Sequence, residues 1–151
     1  MDKPFTDGWR GRIGLVATAP GNATEADFNR YRPAGVAVLT TRTPLTASTP
    51  EGIREMNRFV DDAAALLAQN AYCDVVLLSS TAGSFVDGRA AALAHAQTLS
   101  LEIGAQVITS AECMLQALQA LRAKRVTLVT PSSPELNRAE HAFLNLSLIH
   151  I

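Results

Sequence analysis

The sequence is short of net charge, aromatic residues, cysteine and histidine, and each shortage removes a class of function. Its 13 Lys and Arg are matched by 14 Asp and Glu, a formal net charge of -1 over 151 residues. General nucleic-acid binding needs clustered cationic side chains to meet phosphates, so no nucleic-acid partner is expected. An acidic disordered tail is excluded for the same reason. No run of 18 or more apolar residues is present, and the N-terminal MDKPFTDGWRG has no apolar signal core. A cytoplasmic protein with no membrane partner is therefore expected. The two cysteines, Cys73 and Cys113, fit a reducing compartment, with an oxidised pair as the alternative. His95, His141 and His150 show no paired spacing for a metal, and so few histidines give no Ser-His-Asp arrangement. Neither a Walker A nor a GxGxxG pattern occurs, which leaves nucleotide binding without motif support.

What the sequence does contain is a regular alternation. Short apolar or β-branched runs recur at 12–17 (RIGLVA), 35–40 (GVAVLT), 74–79 (DVVLLS), 106–109 (QVIT) and 125–130 (RVTLVT), each with the character of a buried parallel strand. Helical spacing lies between them. From Pro50 to Gln69, Ile53, Met56, Val60, Ala64 and Leu67 form one apolar stripe. Thr49 before Pro50, Ser110 before Ala111 and Ser133 before Pro134 supply helix start signals. Strand-helix alternation predicts an α/β fold, a parallel sheet with helices on both faces in a flavodoxin-like or Rossmann-like arrangement. A chain of this length buries about two-thirds of its unfolded surface, enough for a core without disulfides or metal.

RIGLVATAPGNATEADF, from Arg12, resembles RVTLVTPSSPELNRAEHAF, from Arg125. Strand, small polar loop and helix come in the same order, either by chance or because a second lobe begins near Lys124. The last six residues, LSLIHI, continue a helix into an apolar stretch with no cap or charge. They resemble a translated transposon-end sequencing adapter, which makes residues 146–151 a non-native tail; a natural apolar C-terminal strand is the alternative.

Ligands of open parallel sheets bind beyond the carboxyl ends of the strands. The loops there read Thr18-Ala-Pro-Gly-Asn22, Thr40-Thr-Arg-Thr43, Ser80-Thr-Ala-Gly-Ser84, Ser110 and Pro131-Ser-Ser133. Small hydroxyl, amide and glycine residues let backbone N–H groups approach an anion, and helix N-termini add partial positive charge. Ser and Thr are also ordinary helix caps, but five such loops on one edge point to a small-anion site. Arg42, the only cation among them, is placed to neutralise a carboxylate or to stand as a solvated loop charge. Gly83 and Ser84 suggest a tight turn aimed into the crevice. Cys73 precedes its strand, at the wrong edge for catalysis. Cys113 falls in the first turn of a helix, whose dipole would lower its pKa, although a core role is the simpler expectation.

Four segments resemble the Asp/Glu racemase superfamily, in its branch of maleate cis-trans isomerases and arylmalonate decarboxylases: IGLVATAPGNATEADF, TTRTPLTASTPEGI, DVVLLSSTAGSFVDG and ITSAECMLQALQALRAKRVTLVTPSSPELN. The resemblance runs from Arg12 to about Leu144. It implies two pseudo-symmetric α/β lobes, an active site between them, a small carboxylate substrate, and no metal or organic cofactor. It also implies an N-terminal lobe over residues 1–123 and the first strand and helix of an incomplete second lobe over 124–145; a homo-oligomer is open. Racemases and isomerases of the family carry a catalytic cysteine in each lobe. In the isomerases the first adds to the double bond of maleate and the second acts as acid. Arylmalonate decarboxylases lack the first cysteine and use the second to protonate an enediolate held by hydroxyl and backbone donors, each able to contribute about 3 kcal/mol.

By that resemblance Asn22 matches the asparagine that holds a substrate carboxylate, and Thr81 the donor threonine after the nucleophile. Ser80 occupies the nucleophile position itself, where serine without an adjacent base stays protonated and is a far weaker nucleophile than cysteine. Ala82 replaces a frequent donor serine, and Ser132 stands where a carboxylate-binding tyrosine is usual. The three departures imply a divergent substrate, a decarboxylase-like mechanism or a non-catalytic carboxylate-binding protein. The second-lobe cysteine has no counterpart in this chain, so the family reaction is not expected of it alone.

Overall fold

In a computed structural model, which describes residues 6–145, four of the five expected strands form one sheet: β1 (Gly11–Thr18), β2 (Val36–Thr43), β3 (Val75–Leu78) and β4 (Gln106–Thr109). All neighbours are parallel and the order is β2-β1-β3-β4. β1 is therefore interior, with Ile13 opposite Val38 on one side and Val75 on the other. Strands paired on both edges and covered on both faces must be apolar throughout, which is why they read as continuous runs.

The pleat divides those runs between two cores. Val16, Val76, Leu78 and Val107 point to a face covered by helices α3 (Val60–Ala65) and α5 (Arg89–Ile103), where they meet Ala64, Leu67, Ala96, Leu99 and Ile103. Leu15, Ala17 and Leu77 point the other way, toward Phe28 of α1 (Ala23–Tyr31). Leu15 and Val76 are both 0% exposed; each such burial stabilises the fold by about 1.5–3 kcal/mol. Ser100 of α5 also ties its helix to the sheet, since its hydroxyl accepts the Val107 N–H at 2.8 Å. α5 ends at Gly104, whose φ of 69° is the left-handed conformation that favours glycine at a helix C-terminus.

The long helix expected over Pro50–Gln69 is broken into three pieces. α2 (Pro50–Asn57) begins at Thr49, whose side chain caps Gly52 N–H, and α3 follows after Arg58 and Phe59. At that junction Arg58 N–H bonds Glu55 and Phe59 N–H bonds Met56, a three-residue spacing that tightens the turn. A π-helical turn, Leu66–Asn70, then closes with Ala71 N–H on the carbonyl of Leu66. The predicted stripe survives the breaks: Ile53, Met56, Val60, Ala64 and Leu67 are all buried.

A short helix, α4 (Thr81–Phe85), replaces the tight turn expected after β3. α6 (Ser110–Ala120) is capped by Thr109 rather than Ser110, because the Thr109 hydroxyl, at the end of the strand, accepts Glu112 N–H at 3.2 Å. α7 (Pro134–Asn145) starts as expected, with the Ser133 hydroxyl accepting Leu136 N–H at 3.3 Å.

The fifth predicted strand does not join the sheet. Apart from an isolated bridge at Arg125, Val126–Thr130 makes no backbone-to-backbone hydrogen bond among the described residues. Its side chains still alternate, with Val126 and Leu128 packed on the cluster of Phe85, Ala111, Leu115, Phe143 and Leu144, and Val129 89% exposed. α7 reaches across to α4, where Phe85 and Phe143 meet edge to face at 4.9 Å. It also reaches α2, where Leu136 joins Ile53 and Met56. The tail 146–151 lies outside the described residues.

Candidate functional site

The carboxyl ends of β1, β2, β3 and β4 gather the hydroxyl residues onto one edge. Ser79, directly after β3, donates from its hydroxyl to the Val16 carbonyl at 2.8 Å, and its N–H bonds the same oxygen at 3.0 Å. These bonds carry the β3 pairing one residue past the strand. They deliver Ser80 in an extended conformation as the N-cap of α4, its Oγ accepting Gly83 N–H at 3.1 Å. A hydroxyl used as an acceptor keeps its proton free for another partner. Ser80, Thr81 and Ala82 are thus consecutive at the start of one short helix.

Ala82 turns away from any donor role, its methyl packing with Ile53, Met56 and Leu136. Gly83 is equally committed: its N–H caps on Ser80 and its carbonyl accepts the Asn57 amide at 3.0 Å. The Gly83 donor expected to aim into the crevice is therefore used inside the helix start. A Cβ at Gly83 would come within 2.9 Å of Asn57 Oδ1, so a larger residue there would displace the Asn57 side chain that bonds the Gly83 carbonyl.

Asn22 is exposed at the start of α1 and makes no side-chain cap bond. Its loop is held by Arg42. The guanidinium donates to the carbonyls of Thr18 at 3.2 Å, Ala19 at 3.3 Å and Gly21 at 3.0 Å, and pairs with Glu25 at 2.6 Å. Arg42 thus has its charge matched and serves as the brace of the loop that carries Asn22. Ser132 lies on the loop before α7, its N–H on the Thr130 hydroxyl at 3.0 Å and its carbonyl on the Asn137 amide at 3.3 Å. No hydrogen bond among the described residues joins Asn22, Thr81 or Ser132 to Ser80.

Behind Ser80 the structure adds residues that sequence reasoning passed over. A cavity of about 40 Å³ is lined by Thr43, Asn57, Ser79, Ser80, Ser84, His95 and Thr109, together with apolar neighbours. Thr43, Ser84 and Thr109 are buried polar residues. His95 closes the outer side, its Nε2 2.7 Å from Asp61 Oδ1. These partners are 34 residues apart on different helices, so no local spacing announced them.

The cysteines stand apart from this site. Cys73 is buried ahead of β3, at the opposite edge as expected. Cys113 is exposed on α6, yet partial burial of its thiol and the adjacent Glu112 carboxylate push its pKa up. These effects outweigh the backbone hydrogen bond that lowers it, so the direction is opposite to the one expected from the helix start. Among the described residues no group of three or more His, Cys, Asp or Glu is arranged to hold a metal, and no helix is long and apolar enough to cross a membrane.

No family model matches the sequence, and no curated protein matches it. Solved structures do. A double mutant of arylmalonate decarboxylase in its liganded form superposes with a TM-score of 0.83 at 30% identity, covering 93% of this chain and 59% of that one. A Nocardia farcinica maleate cis-trans isomerase mutant holding a covalent succinylcysteine intermediate gives a TM-score of 0.82 at 27% identity, over 93% of this chain and 61% of that one. The chain has the Asp/Glu racemase fold. A further arylmalonate decarboxylase structure matches at a TM-score of 0.73 and 28% identity, again over 93% of this chain and 61% of the other. The likeness thus falls on the maleate isomerase and arylmalonate decarboxylase branch of the Asp/Glu racemase superfamily. The chain spans about three fifths of the length of these solved relatives.

Proposed function

We propose that this chain forms the substrate-binding first lobe, residues 1–123, of a cofactor-independent isomerase of maleate cis-trans isomerase type acting on a small carboxylic acid. Residues 124–145 begin its second lobe. The observation that carries this reading is the position of Ser80 at the carboxyl end of β3. It caps a helix with its oxygen, keeps its proton to donate, and is followed at once by Thr81. Asn22, on the loop braced by Arg42, supplies a further amide on the same sheet edge, and Ser132 heads the loop from the second lobe.

A decarboxylase-like mechanism is the second reading, favoured by the side chain at position 80 itself. Ser80 has a hydroxyl where addition to a double bond needs a thiolate, and no base lies within hydrogen-bond distance of it among the described residues. A site of this kind stabilises an enediolate with donors and leaves protonation to a residue of the other lobe. Neither lobe requires a metal or organic cofactor for this chemistry.

Amide NMR titration of the 151-residue chain with maleate and with an arylmalonate tests the shared core of both readings. Saturable shifts confined to residues 80–84 and 18–22 are expected. Their absence with both acids removes the carboxylate-site reading. In the chain completed by a second lobe, isomerisation gained by Ser80→Cys separates the isomerase geometry from the decarboxylase one. Binding without turnover of either acid identifies a carboxylate-binding protein on the same scaffold.

A further inference from the structure

We propose that the Asp61–His95 pair governs the ionisation of the group at position 80, acting through water held in the cavity behind it. The inference rests on the reading of position 80 as the reacting position, and adds a positioning pair that the resemblance does not supply.

The cavity is suited to water. Its volume of about 40 Å³ exceeds the roughly 10–15 Å³ that one water needs, and such a site must also offer two to four polar partners. Ser84 provides one. The residue is 5% exposed and its hydroxyl-bearing side chain lines the cavity. Ser80 provides a second, because its Oγ already accepts Gly83 N–H and its proton is left to donate. His95, on the same wall, provides a third.

The direction of proton movement follows from the Asp61 contact. An ionised carboxylate only accepts, so imidazole Nε2, at 2.7 Å from Asp61 Oδ1, carries the ring proton. Nδ1 is then the acceptor. A proton leaving the group at position 80 passes to water while that water passes one to Nδ1. The products are an anion at position 80 and an imidazolium held against Asp61.

Other charges around His95 are internally matched. Arg54 of α2 pairs with Asp87 of the α4–α5 turn at 3.0 Å, and Arg58, after α2, pairs with Glu55 at 2.9 Å. Among the charged groups lining the groove that opens beside His95, Arg54, Arg58 and Asp87, each cation therefore has its own carboxylate.

A thiol placed at the position reads this out without any turnover. In the chain carrying Ser80→Cys and Cys113→Ser, the rate of iodoacetamide alkylation at position 80 is followed by mass spectrometry from pH 5 to 9. An imidazolium across the cavity favours thiolate. His95→Asn should slow alkylation at pH 7 roughly threefold. That is the net of tenfold less thiolate per unit rise in thiol pKa and the higher nucleophilicity of the more basic thiol. Asp61→Asn, which removes the carboxylate held 2.7 Å from the imidazole, should slow alkylation as well. His95 and Asp61 are 43% and 54% exposed, so neither replacement threatens the core. Superimposable profiles for the parent thiol, His95→Asn and Asp61→Asn would overturn the proposal. Failure of carboxylate binding with these profiles intact would instead count against the proposed function alone.

Discussion

Arg89 and Glu112 meet in a paired contact, Nε to Oε2 at 3.1 Å and Nη2 to Oε1 at 2.9 Å. The pair joins the first residue of α5 to the first turn of α6, on two helices that flank β4. Their side chains are 28% and 20% exposed, respectively, so solvent screens the contact less than a surface pair. A two-pronged geometry also needs the planar guanidinium. A double-mutant cycle with Arg89→Ala and Glu112→Ala, read by urea unfolding, should give a coupling of about 1–2 kcal/mol. Arg89→Lys should recover less than half of it. A coupling near zero would show that the two helices are held by apolar contacts alone.

Arg42 should behave as a loop brace. Arg42→Ala withdraws donors from three carbonyls, and a loss of about 1–2 kcal/mol in unfolding free energy is expected. Arg42→Lys should restore little, since one ammonium cannot span the oxygens of Thr18, Ala19 and Gly21. Full stability in the lysine variant would return Arg42 to the role of a simple charge.

Gly52 carries a steric demand. A Cβ there would collide with the carbonyl oxygen of Ala47, at the start of the helix that supports Met56 and Asn57 behind the site. Gly52→Ala should cost about 1–3 kcal/mol, the usual penalty of overpacking, despite alanine's better helix propensity. Chemical denaturation measures it, and an unchanged midpoint would contradict the close approach.

Glu140 of α7 is partly buried, and that burial raises its carboxyl pKa. The folded chain therefore holds the proton more firmly than the unfolded one. Its contribution to stability is complete below the ordinary carboxyl pKa and is lost as pH rises through the raised value. Glu140→Gln should increase Tm at pH 7 by a few degrees at most and leave it unchanged near pH 4. An equal shift at both values would point to packing as the cause.

The sheet was legible because its strands are buried on both faces. The 106–109 run coincides with β4, and RIGLVA and DVVLLS fall within a residue of β1 and β3. β2 runs three residues further than its apolar core, since Thr41, Arg42 and Thr43 continue the pairing with β1. The break after α2 was not legible: the stripe from Ile53 to Leu67 stays in phase across Arg58 and Phe59, and only a change in hydrogen-bond spacing interrupts it. RVTLVT carries a strand's pattern but has no neighbouring strand among the described residues to pair with. In the site, Ser80 and Thr81 could be found from their place after a strand. His95 and Asp61 could not, because their partnership depends on how α3 and α5 pack.

The segment Val126–Thr130 has a practical side. It is extended, lacks charge and proline, exposes Val129 and makes no backbone-to-backbone hydrogen bond among the described residues, features that invite one chain to template another. Solutions of this polypeptide should thus carry a concentration ceiling set by intermolecular sheet formation rather than by unfolding. A lysine at 129 would act as a gatekeeper, raising that ceiling in a light-scattering series while leaving the melting temperature where it was.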